Sequence, residues 1–181
     1  MTDLQKLQET LIRSNKWWKE PFTLDYKPRD IYPQLKKFFS KRQILALVGL
    51  RRTGKTTLLY KLIEETLQNV PKEHIIYFSF DEFKDTPLLD ILHAYELLHN
   101  ANTGQGKFYF FFDEIQKVEN WEEQLKRLYD ENPSLKFIIS GSESLFIRKK
   151  SRESLAGRIY EFHINPLNFK EYLSFKQKNF T

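Results

Sequence analysis

The stretch from Ile44 to Leu59 constrains the fold of this chain more than any other part of its sequence. It reads ILALVGLRRTGKTTLL, so a strand-length aliphatic run leads directly into a segment with two glycines, two arginines, a lysine and three threonines. Glycine lets the backbone turn tightly and bring its N–H groups up to an anion, and a following helix directs its positive end at the same anion. Leu59, Leu62, Ile63 and Leu67 then recur at helical spacing. The pattern G-x-x-x-x-G-K-S/T between a strand and a helix predicts a phosphate-binding P-loop.

Each part of this loop has a predicted task in binding a nucleotide. Lys55 supplies a positive charge for the β- and γ-phosphates, and the Thr56 hydroxyl is placed to ligate Mg²⁺. Thr57, one residue later, can reach the α-phosphate with its hydroxyl and its N–H. The predicted ligand is a nucleoside triphosphate or diphosphate with Mg²⁺, held by Gly49, Leu50, Arg51, Arg52, Thr53, Gly54, Lys55, Thr56 and Thr57.

Apolar runs of strand length alternate with amphipathic, helix-length segments along the rest of the chain. The strands are continuously apolar rather than alternating, which is typical of a parallel sheet buried on both faces. We predict an α/β fold with right-handed crossovers and a ligand outside the carboxyl ends of the strands. The predicted strands are Ile44–Val48, His74–Phe80, Lys107–Phe112, Lys136–Ser140 and Ile159–Ile164.

Capping residues and prolines set the predicted helix limits. Residues 3–20 form one predicted helix, opened by a capping box of Thr2 and Gln5 and closed by Pro21. The other predicted helices run from Ile31 or Pro33 to Phe39, from the P-loop to about Asn69, from the Thr86 cap onward, from the Asn120 cap with Glu123 reaching back, and over residues 168–175.

Two acids, Asp113 and Glu114, follow the aromatic run Phe108–Phe112 at the predicted carboxyl end of a strand. Asp113 is well placed to hold Mg²⁺ through a water, and Glu114 is then a candidate general base for the attacking water. An ordinary acidic strand end is the alternative. The position of the two acids, beyond the strand that leads into the P-loop, favours the nucleotide site. The direct succession of Asp113 and Glu114 favours hydrolysis over phosphate transfer to a small molecule.

Three further polar residues lie near predicted strand ends. Ser140 and Ser142 follow strand four, where either side chain could contact the γ-phosphate or the lytic water, and a helix N-cap is the alternative for Ser142. Arg158 precedes strand five, and a guanidinium near the nucleotide edge could stabilise γ-phosphate charge in cis or in trans. A surface ion pair is the alternative for Arg158. The candidate catalytic residues are therefore Glu114, Lys55, Arg158, Ser140 and Ser142, and the candidate metal ligands are Thr56 and Asp113.

The first 28 residues are predicted to form an N-terminal helix and extended segment, and residues 29–181 the P-loop domain. Trp17 and Trp18 need a cover, and docking on the core is favoured over a partner surface because exposed large aromatics are uncommon in monomers. Because Arg29 and Asp30 stand just before the first short helix, we predict that they lie near the base or ribose of the nucleotide.

Composition limits the partners and the compartment. The 181 residues include 40% hydrophobic side chains, 16 Phe and no Cys, which predicts a globular chain with a phenylalanine-rich core and no disulfides. The apolar runs are shorter than a membrane span and the start lacks a secretory pattern, so the cytoplasm is expected. The net charge of +5 and the basic stretch at residues 148–152 permit a nucleic-acid partner, but a solvated surface is favoured.

Four segments together resemble the prokaryotic AAA-type P-loop ATPases called AAA_14, which often carry a DUF4143 region and are similar to archaeal ATPase and STAND-type groups. The segments are LVGLRRTGKTTLL, FFFDEIQKVENWEEQLKRLYD, FIISGSESL and ESLAGRIYEFHINPLNFKEYL, and the resemblance covers roughly residues 29–175. It implies a P-loop NTPase three-layer sandwich with a mostly parallel five-stranded sheet of order 5-1-4-3-2, and ATP with Mg²⁺. It also implies the roles given above to Asp113 and Glu114, with Ser140 or Ser142 as sensor and Arg158 as the family-type arginine.

Two features depart from that family pattern. Leu50 stands where members usually have proline, which is harmless because the residue contributes its backbone. The sequence ends at Thr181, where members usually continue into a helical lid, a winged-helix region and a further domain. A lid arginine that senses the γ-phosphate is therefore outside this sequence, and slow hydrolysis is expected.

The leading prediction is Mg²⁺-dependent ATP binding and hydrolysis by a switch or motor module, with a second copy or another protein as partner. The alternative is an ATP-binding interaction module, whose contacts are residues 148–152 and the helix that carries Trp17 and Trp18. A kinase is less favoured because that class usually lacks the glutamate next to Asp113. A GTPase is disfavoured because the sequence lacks an N-K-x-D signature and reads Asp-Glu-Ile-Gln from Asp113 onward.

Overall fold

A computed structural model of the chain describes residues 3–142 and 154–176. Six helices and five strands are found in these two ranges, together with short 3₁₀ turns at Lys16–Trp18, Lys72–His74 and Ile115–Lys117. In chain order they are α1 (Asp3–Ser14), α2 (Tyr32–Phe39), β1 (Ile44–Val48), α3 (Lys55–Thr66), β2 (Ile75–Ser79), α4 (Leu88–His99), β3 (Phe108–Asp113), α5 (Trp121–Glu131), β4 (Leu135–Gly141), β5 (Ile159–His163) and α6 (Phe169–Phe175).

The five strands form one sheet of order β2-β3-β4-β1-β5, and every neighbouring pair is parallel. This order is the predicted 5-1-4-3-2 read from the other edge, so the predicted fold class is confirmed. The central strands are buried along their whole length, as their continuous apolar runs require. All strands end at the same edge, where the P-loop and the Asp113–Glu114 pair lie.

Helices cover both faces of the sheet, so the domain has three layers. Side chains of β1 alternate between the two faces, since Ile44, Ala46 and Val48 pack on one side and Leu45 and Leu47 on the other. The first side carries α1, α4 and α5 over a cluster of phenylalanine rings, which confirms the predicted phenylalanine-rich core. The second side carries α2 and α3.

Several predicted helix limits are wrong in informative ways. The first helix ends at Ser14 instead of continuing to residue 20, because Asn15 turns its side chain to β2. The P-loop helix ends at Thr66, where the Thr66 hydroxyl bonds the Leu62 carbonyl at 2.6 Å. The predicted capping box of Thr2 and Gln5 involves a residue outside the described ranges.

Two predicted caps also differ from the structure. α4 begins at Leu88 rather than after a Thr86 cap, and the Leu88 N–H donates to Oε1 of Gln124 in α5 at 2.9 Å. Asn120 precedes α5 in a left-handed conformation with no side-chain cap, and its carbonyl accepts the Glu123 N–H at 3.2 Å. A neighbouring helix thus satisfies the start of α4, and the backbone of Asn120 satisfies the start of α5.

The N-terminal segment packs into the body of the domain. Leu7 and Leu11 of α1 join the core beside β2 and α4. Trp17 is 2% exposed, and the indole N–H groups of Trp17 and Trp18 both donate to the Ile75 carbonyl, at 3.0 and 3.1 Å. The expected docking of the tryptophan pair is therefore confirmed, and it covers the outer edge of β2.

No helix in the described ranges is both long and apolar enough to cross a bilayer.

Lys136 is a buried cation at the opposite, amino-terminal edge of the sheet. Its side chain is 3% exposed, and its ammonium donates to the carbonyls of Lys41, at 2.6 Å, and Gln43. Burial, with a smaller effect of the charge on Lys107, lowers the pKa of Lys136 to about 7. The lysine thus ties the start of β4 to the loop before β1 through backbone carbonyls of the described residues.

We expect Lys136→Met to flatten the pH dependence of stability between about pH 7 and pH 10.5. In that window the unfolded lysine holds a proton that the folded lysine has released, so the free energy of unfolding of the wild type rises with pH. The slope has a ceiling of ~1.4 kcal/mol per pH unit. Urea unfolding at several pH values measures it, with the exposed Lys72→Met as control. Equal slopes for the wild type and Lys136→Met would contradict the prediction.

Candidate nucleotide-binding and magnesium site

The P-loop joins β1 to α3 through a turn that requires both of its glycines. A Cβ atom on Gly49 would lie 2.3 Å from the carbonyl oxygen of Ile164, so only glycine fits where the loop crosses the end of β5. Gly54 has φ 93° and stands at the N-cap of α3, a conformation that other residues rarely adopt. The loop therefore places the amino-terminal end of α3 at the edge where the strands have their carboxyl ends.

Lys55 lies inside this loop rather than on its surface. The side chain is buried, and its ammonium donates to the carbonyls of Gly49 at 3.0 Å and Leu50 at 2.9 Å. The Thr53 hydroxyl also donates to the Leu50 carbonyl, at 2.9 Å. These bonds keep the ammonium at the centre of the curled backbone, the place from which a P-loop lysine contacts phosphates.

Arg51, Arg52 and Thr57 stand at the exposed side of the loop. Leu50 is 52% exposed, and Arg52 has φ 66°, so the loop backbone between the glycines turns outward. Of the predicted nucleotide contacts, Arg52, Thr53, Gly54 and Thr57 line one cavity, and contacts of Leu50 and Arg51 stay a prediction.

The carboxylate of Asp113 is the point where the two predicted motifs meet. It is 3% exposed, and its Oδ2 accepts the Thr56 hydroxyl at 2.7 Å although 57 residues separate the two in sequence. The same oxygen accepts the Tyr77 hydroxyl at 2.9 Å, and Oδ1 accepts the Ser140 hydroxyl. A carboxylate only accepts, so Thr56 donates and keeps lone pairs for a cation. Carboxylate and hydroxyl oxygens are ligands that suit Mg²⁺.

Ser140 serves as a connection between strand ends. Its side chain is fully buried, its proton is donated to Asp113, and its oxygen accepts the backbone N–H of Glu114 at 3.3 Å. A contact of Ser140 with the γ-phosphate stays a prediction. Ser142 lies one residue beyond β4, and the alternative of a helix N-cap involves residues outside the described ranges. A contact of Ser142 with the γ-phosphate or the lytic water stays a prediction.

Glu114 follows β3 in a left-handed conformation with φ 56°, directly after Asp113. Its Oε2 accepts the amide Nε2–H of Gln116 at 2.6 Å. The amide oxygen of Gln116 is buried and has no hydrogen-bond partner among the described residues. A carboxylate beside an unsatisfied acceptor is an arrangement that could orient a water molecule, since water supplies the missing donor.

Tyr77 is a site residue that sequence reasoning missed. It stands on β2, where burial first and the negative charge of Asp113 second raise the pKa of Tyr77 far above its usual value. Its hydroxyl therefore stays protonated and donates to Asp113. The available signal was a tyrosine in an otherwise apolar buried strand, because buried tyrosine hydroxyls usually find a partner.

Arg29 supports the P-loop by hydrogen bonds and also lines the cavity beside it, so its predicted place near the base or ribose stays a prediction. The guanidinium is buried and donates to the carbonyls of Thr53 at 2.8 Å and Asn165 at 2.7 Å, and it pairs with Glu171 of α6 at 2.9 Å. Burial alone would raise the pKa of Glu171. Hydrogen bonds from the N–H groups of Asp30 and Asn168 and from Arg29 outweigh burial and lower that pKa.

A cavity of about 260 Å³ opens beside the P-loop and next to Arg29. Its wall combines loop residues with the extended segment before α2 and with α6. The side chains that shape it include Tyr26, Arg29, Thr57, Leu167 and Phe175. A flat, partly apolar group fits such a wall better than a second phosphate does.

Arg158 lies at the opposite edge of the sheet, so the expectation that it stands near the nucleotide edge is wrong. It immediately precedes β5, and its carbonyl accepts the N–H of Ile44 at the start of β1. Its guanidinium forms two bonds to the carboxylate of Asp130, at 2.8 and 3.0 Å. The length of β5 separates Arg158 from the P-loop of its own chain. Of its two predicted roles, only a contact in trans with the γ-phosphate of another copy therefore remains.

The AAA domain family matches residues 41–173, which include both motifs of the site. Two uncharacterized proteins of Methanocaldococcus jannaschii are similar to the chain. One is 36% identical over 135 residues, which are 74% of this chain and 28% of that protein. The other is 39% identical over 138 residues, which are 76% of this chain and 30% of that protein. An uncharacterized protein of Haemophilus influenzae is 32% identical over 145 residues, 79% of this chain and 36% of that protein. The chain thus spans about a third of the length of these relatives.

We expect Arg29→Met to lower the free energy of unfolding by about 3 kcal/mol, because the buried Glu171 carboxylate loses its charge partner. Urea unfolding at pH 7 measures this change. The lowered pKa of Glu171 means that the stabilisation by the pair is present above the ordinary carboxyl pKa and is lost as pH falls through the lowered one. The difference between the wild type and Arg29→Met should therefore shrink in acid.

Lys36→Met provides the matched control, since Lys36 pairs with Glu65 at 2.9 Å but is 66% exposed. Its effect should stay below about 1 kcal/mol. Equal effects of the two substitutions would show that Arg29 is not a structural brace.

Proposed function

Because the chain belongs to the AAA domain family, we propose that it binds ATP with Mg²⁺ and hydrolyses it as a switch or motor module. The observation that carries this proposal is the 2.7 Å bond from the Thr56 hydroxyl to the Asp113 carboxylate. That bond joins the predicted Mg²⁺ ligand of the P-loop to the acid that ends β3. It supports one composite site rather than two unrelated sequence patterns.

The nucleotide phosphates are proposed to bind at the start of α3. Lys55 exchanges its bonds to the Gly49 and Leu50 carbonyls for phosphate oxygens, and the N–H groups from Gly49 to Thr57 surround them. Thr56 and Asp113 hold Mg²⁺, which when bound neutralises charge on the phosphates. The nucleotide base occupies the cavity beside Tyr26 and Phe175, since an aromatic and apolar wall accepts a flat ring.

Glu114 is proposed as the general base for hydrolysis. It follows Asp113 directly, so its carboxylate lies beside the metal site rather than in it. Gln116 holds that carboxylate through a 2.6 Å bond, and its unsatisfied amide oxygen provides a second acceptor for the attacking water. A base must lie within hydrogen-bond reach of the water whose proton it takes, and we propose that Glu114 and Gln116 together hold that water.

A nucleotide-binding interaction module with little hydrolysis is the second candidate. It is favoured by the position of Arg158, which faces Asp130 at the far edge of the sheet and cannot serve its own P-loop. The residues assigned to a nucleic-acid contact, 148–152, fall outside the described ranges. Under this candidate a protein partner or a second copy supplies the missing positive charge. We place either activity in the cytoplasm, where ATP and Mg²⁺ are abundant.

We expect Lys55→Ala to abolish nucleotide binding, because it removes the charge that faces the β- and γ-phosphates. Glu114→Gln should bind nucleotide as the wild type does but release phosphate 10²–10⁴-fold more slowly, as expected on loss of a general base. Titration of a fluorescent ATP analogue and a phosphate-release assay measure the two effects. The exposed Glu119→Gln is the matched control and should change neither.

Micromolar ATP affinity retained in Lys55→Ala would contradict binding at the P-loop. If the wild type and Glu114→Gln both bind and neither turns over, the interaction module is the better account. Turnover that persists in Glu114→Gln would remove Glu114 as the base.

A further inference from the structure

We propose that Tyr77 positions the magnesium-binding carboxylate of Asp113, and that Asn15 of the N-terminal segment positions Tyr77. This inference rests on the proposed function, because it assigns two further residues to the same magnesium site. Neither residue belongs to the P-loop or to the acidic strand end. Asn15 also lies outside residues 41–173, the part that matches the AAA domain family.

The hydroxyl of Tyr77 contacts the carboxylate of Asp113 directly. It donates to Oδ2 of Asp113 at 2.9 Å, the same oxygen that accepts Thr56 at 2.7 Å. Ser140 donates to the other oxygen. Three donors from α3, β2 and β4 thus hold both oxygens, and Tyr77 is the only one of them that faces Asp113 from the outer strand of the sheet.

The hydroxyl also explains why residue 77 is a tyrosine. Tyr77 is 5% exposed, and its ring packs among apolar side chains and lies 4.9 Å from that of Tyr60, whose hydroxyl also bonds to that of Tyr77. A phenylalanine would fill the same space without bringing a polar group into the core. A buried hydroxyl is unfavourable unless it is hydrogen-bonded, so the contact with Asp113 accounts for its presence.

The side chain of Asn15 pairs with the backbone of Tyr77. β2 is an edge strand, and its outer backbone groups would otherwise face no neighbour. The fully buried Asn15 amide accepts the Tyr77 N–H at 2.6 Å and donates to the Tyr77 carbonyl at 2.9 Å. It also donates to the Leu11 carbonyl at 2.8 Å, which fixes the amide on α1.

One side chain therefore replaces a neighbouring strand at a single residue, and that residue carries the hydroxyl bound to Asp113. Removing a hydrogen-bond partner that orients a ligating carboxylate typically changes metal affinity or activity 10–100-fold. Displacement of α1 would release the Tyr77 backbone and loosen the carboxylate. The N-terminal segment is in this way part of the magnesium site.

The test compares nucleotide affinity with Mg²⁺ and with EDTA, using a fluorescent ATP analogue. Tyr77→Phe should reduce the Mg²⁺-dependent gain in affinity about 10-fold and leave the affinity in EDTA within about twofold of the wild type. Tyr95→Phe is the matched control, because Tyr95 is equally buried and its hydroxyl donates to the Glu73 carbonyl at 2.6 Å, away from Asp113. It should change neither affinity.

The role of Asn15 is tested in the same assay with a double-mutant cycle. Asn15→Ala should lower the Mg²⁺-dependent gain in the same direction, and Asn15→Ala combined with Tyr77→Phe should equal Tyr77→Phe alone, because Asn15 acts through Tyr77. If Asn15→Ala does not fold, Asn15→Ser takes its place, since a hydroxyl can bond one of the two Tyr77 groups. Additive losses would overturn the role of Asn15.

An unchanged Mg²⁺-dependent gain in Tyr77→Phe overturns the role of Tyr77, and so does an equal loss of affinity with and without Mg²⁺. Failure of the proposed function looks different. In that case the wild type itself binds no better than Lys55→Ala, which overturns the proposed function and this inference together.

Discussion

The carboxylate of Asp113 is the contact on which the rest of the site depends. It is buried at the end of β3 and accepts hydroxyls from Thr56, Tyr77 and Ser140, so α3, β2 and β4 all converge on it. A buried carboxylate is unfavourable unless its oxygens are hydrogen-bonded. The same three bonds that stabilise the folded chain therefore fix the geometry of the proposed magnesium site.

The parallel sheet makes this convergence possible, because all its strands end at one edge. Gly49 passes close over the Ile164 carbonyl and Arg29 holds the Thr53 carbonyl, so the P-loop is anchored to the sheet on one side and to α6 through Glu171 on the other. The loop is hydrogen-bonded to the domain where it carries Lys55 and Thr56 and exposed where it carries Arg51 and Arg52. Rigid support below a ligand and open space above it are what a nucleotide site requires.

Local patterns predicted the P-loop, the strands and the Asp113–Glu114 pair, because each is written in consecutive residues whose period and composition have direct physical causes. Tyr77, Asn15 and the Arg29–Glu171 pair escaped prediction because their roles arise from contacts between residues far apart in sequence. Asn15 also explains why α1 ends early, since its amide bonds β2 instead of solvent. Arg158 was misplaced because a residue that precedes a parallel strand lies at the amino-terminal edge, whereas the ligand lies at the other.

The central claim is that Asp113 holds Mg²⁺ for a nucleotide bound at the P-loop. The most direct measurement is the affinity of Asp113→Asn for a fluorescent ATP analogue as a function of Mg²⁺ concentration. Asparagine has nearly the same shape, so the fold and the affinity in EDTA should persist while the Mg²⁺-dependent gain is lost. A variant that keeps the full Mg²⁺ dependence of the wild type would contradict the account.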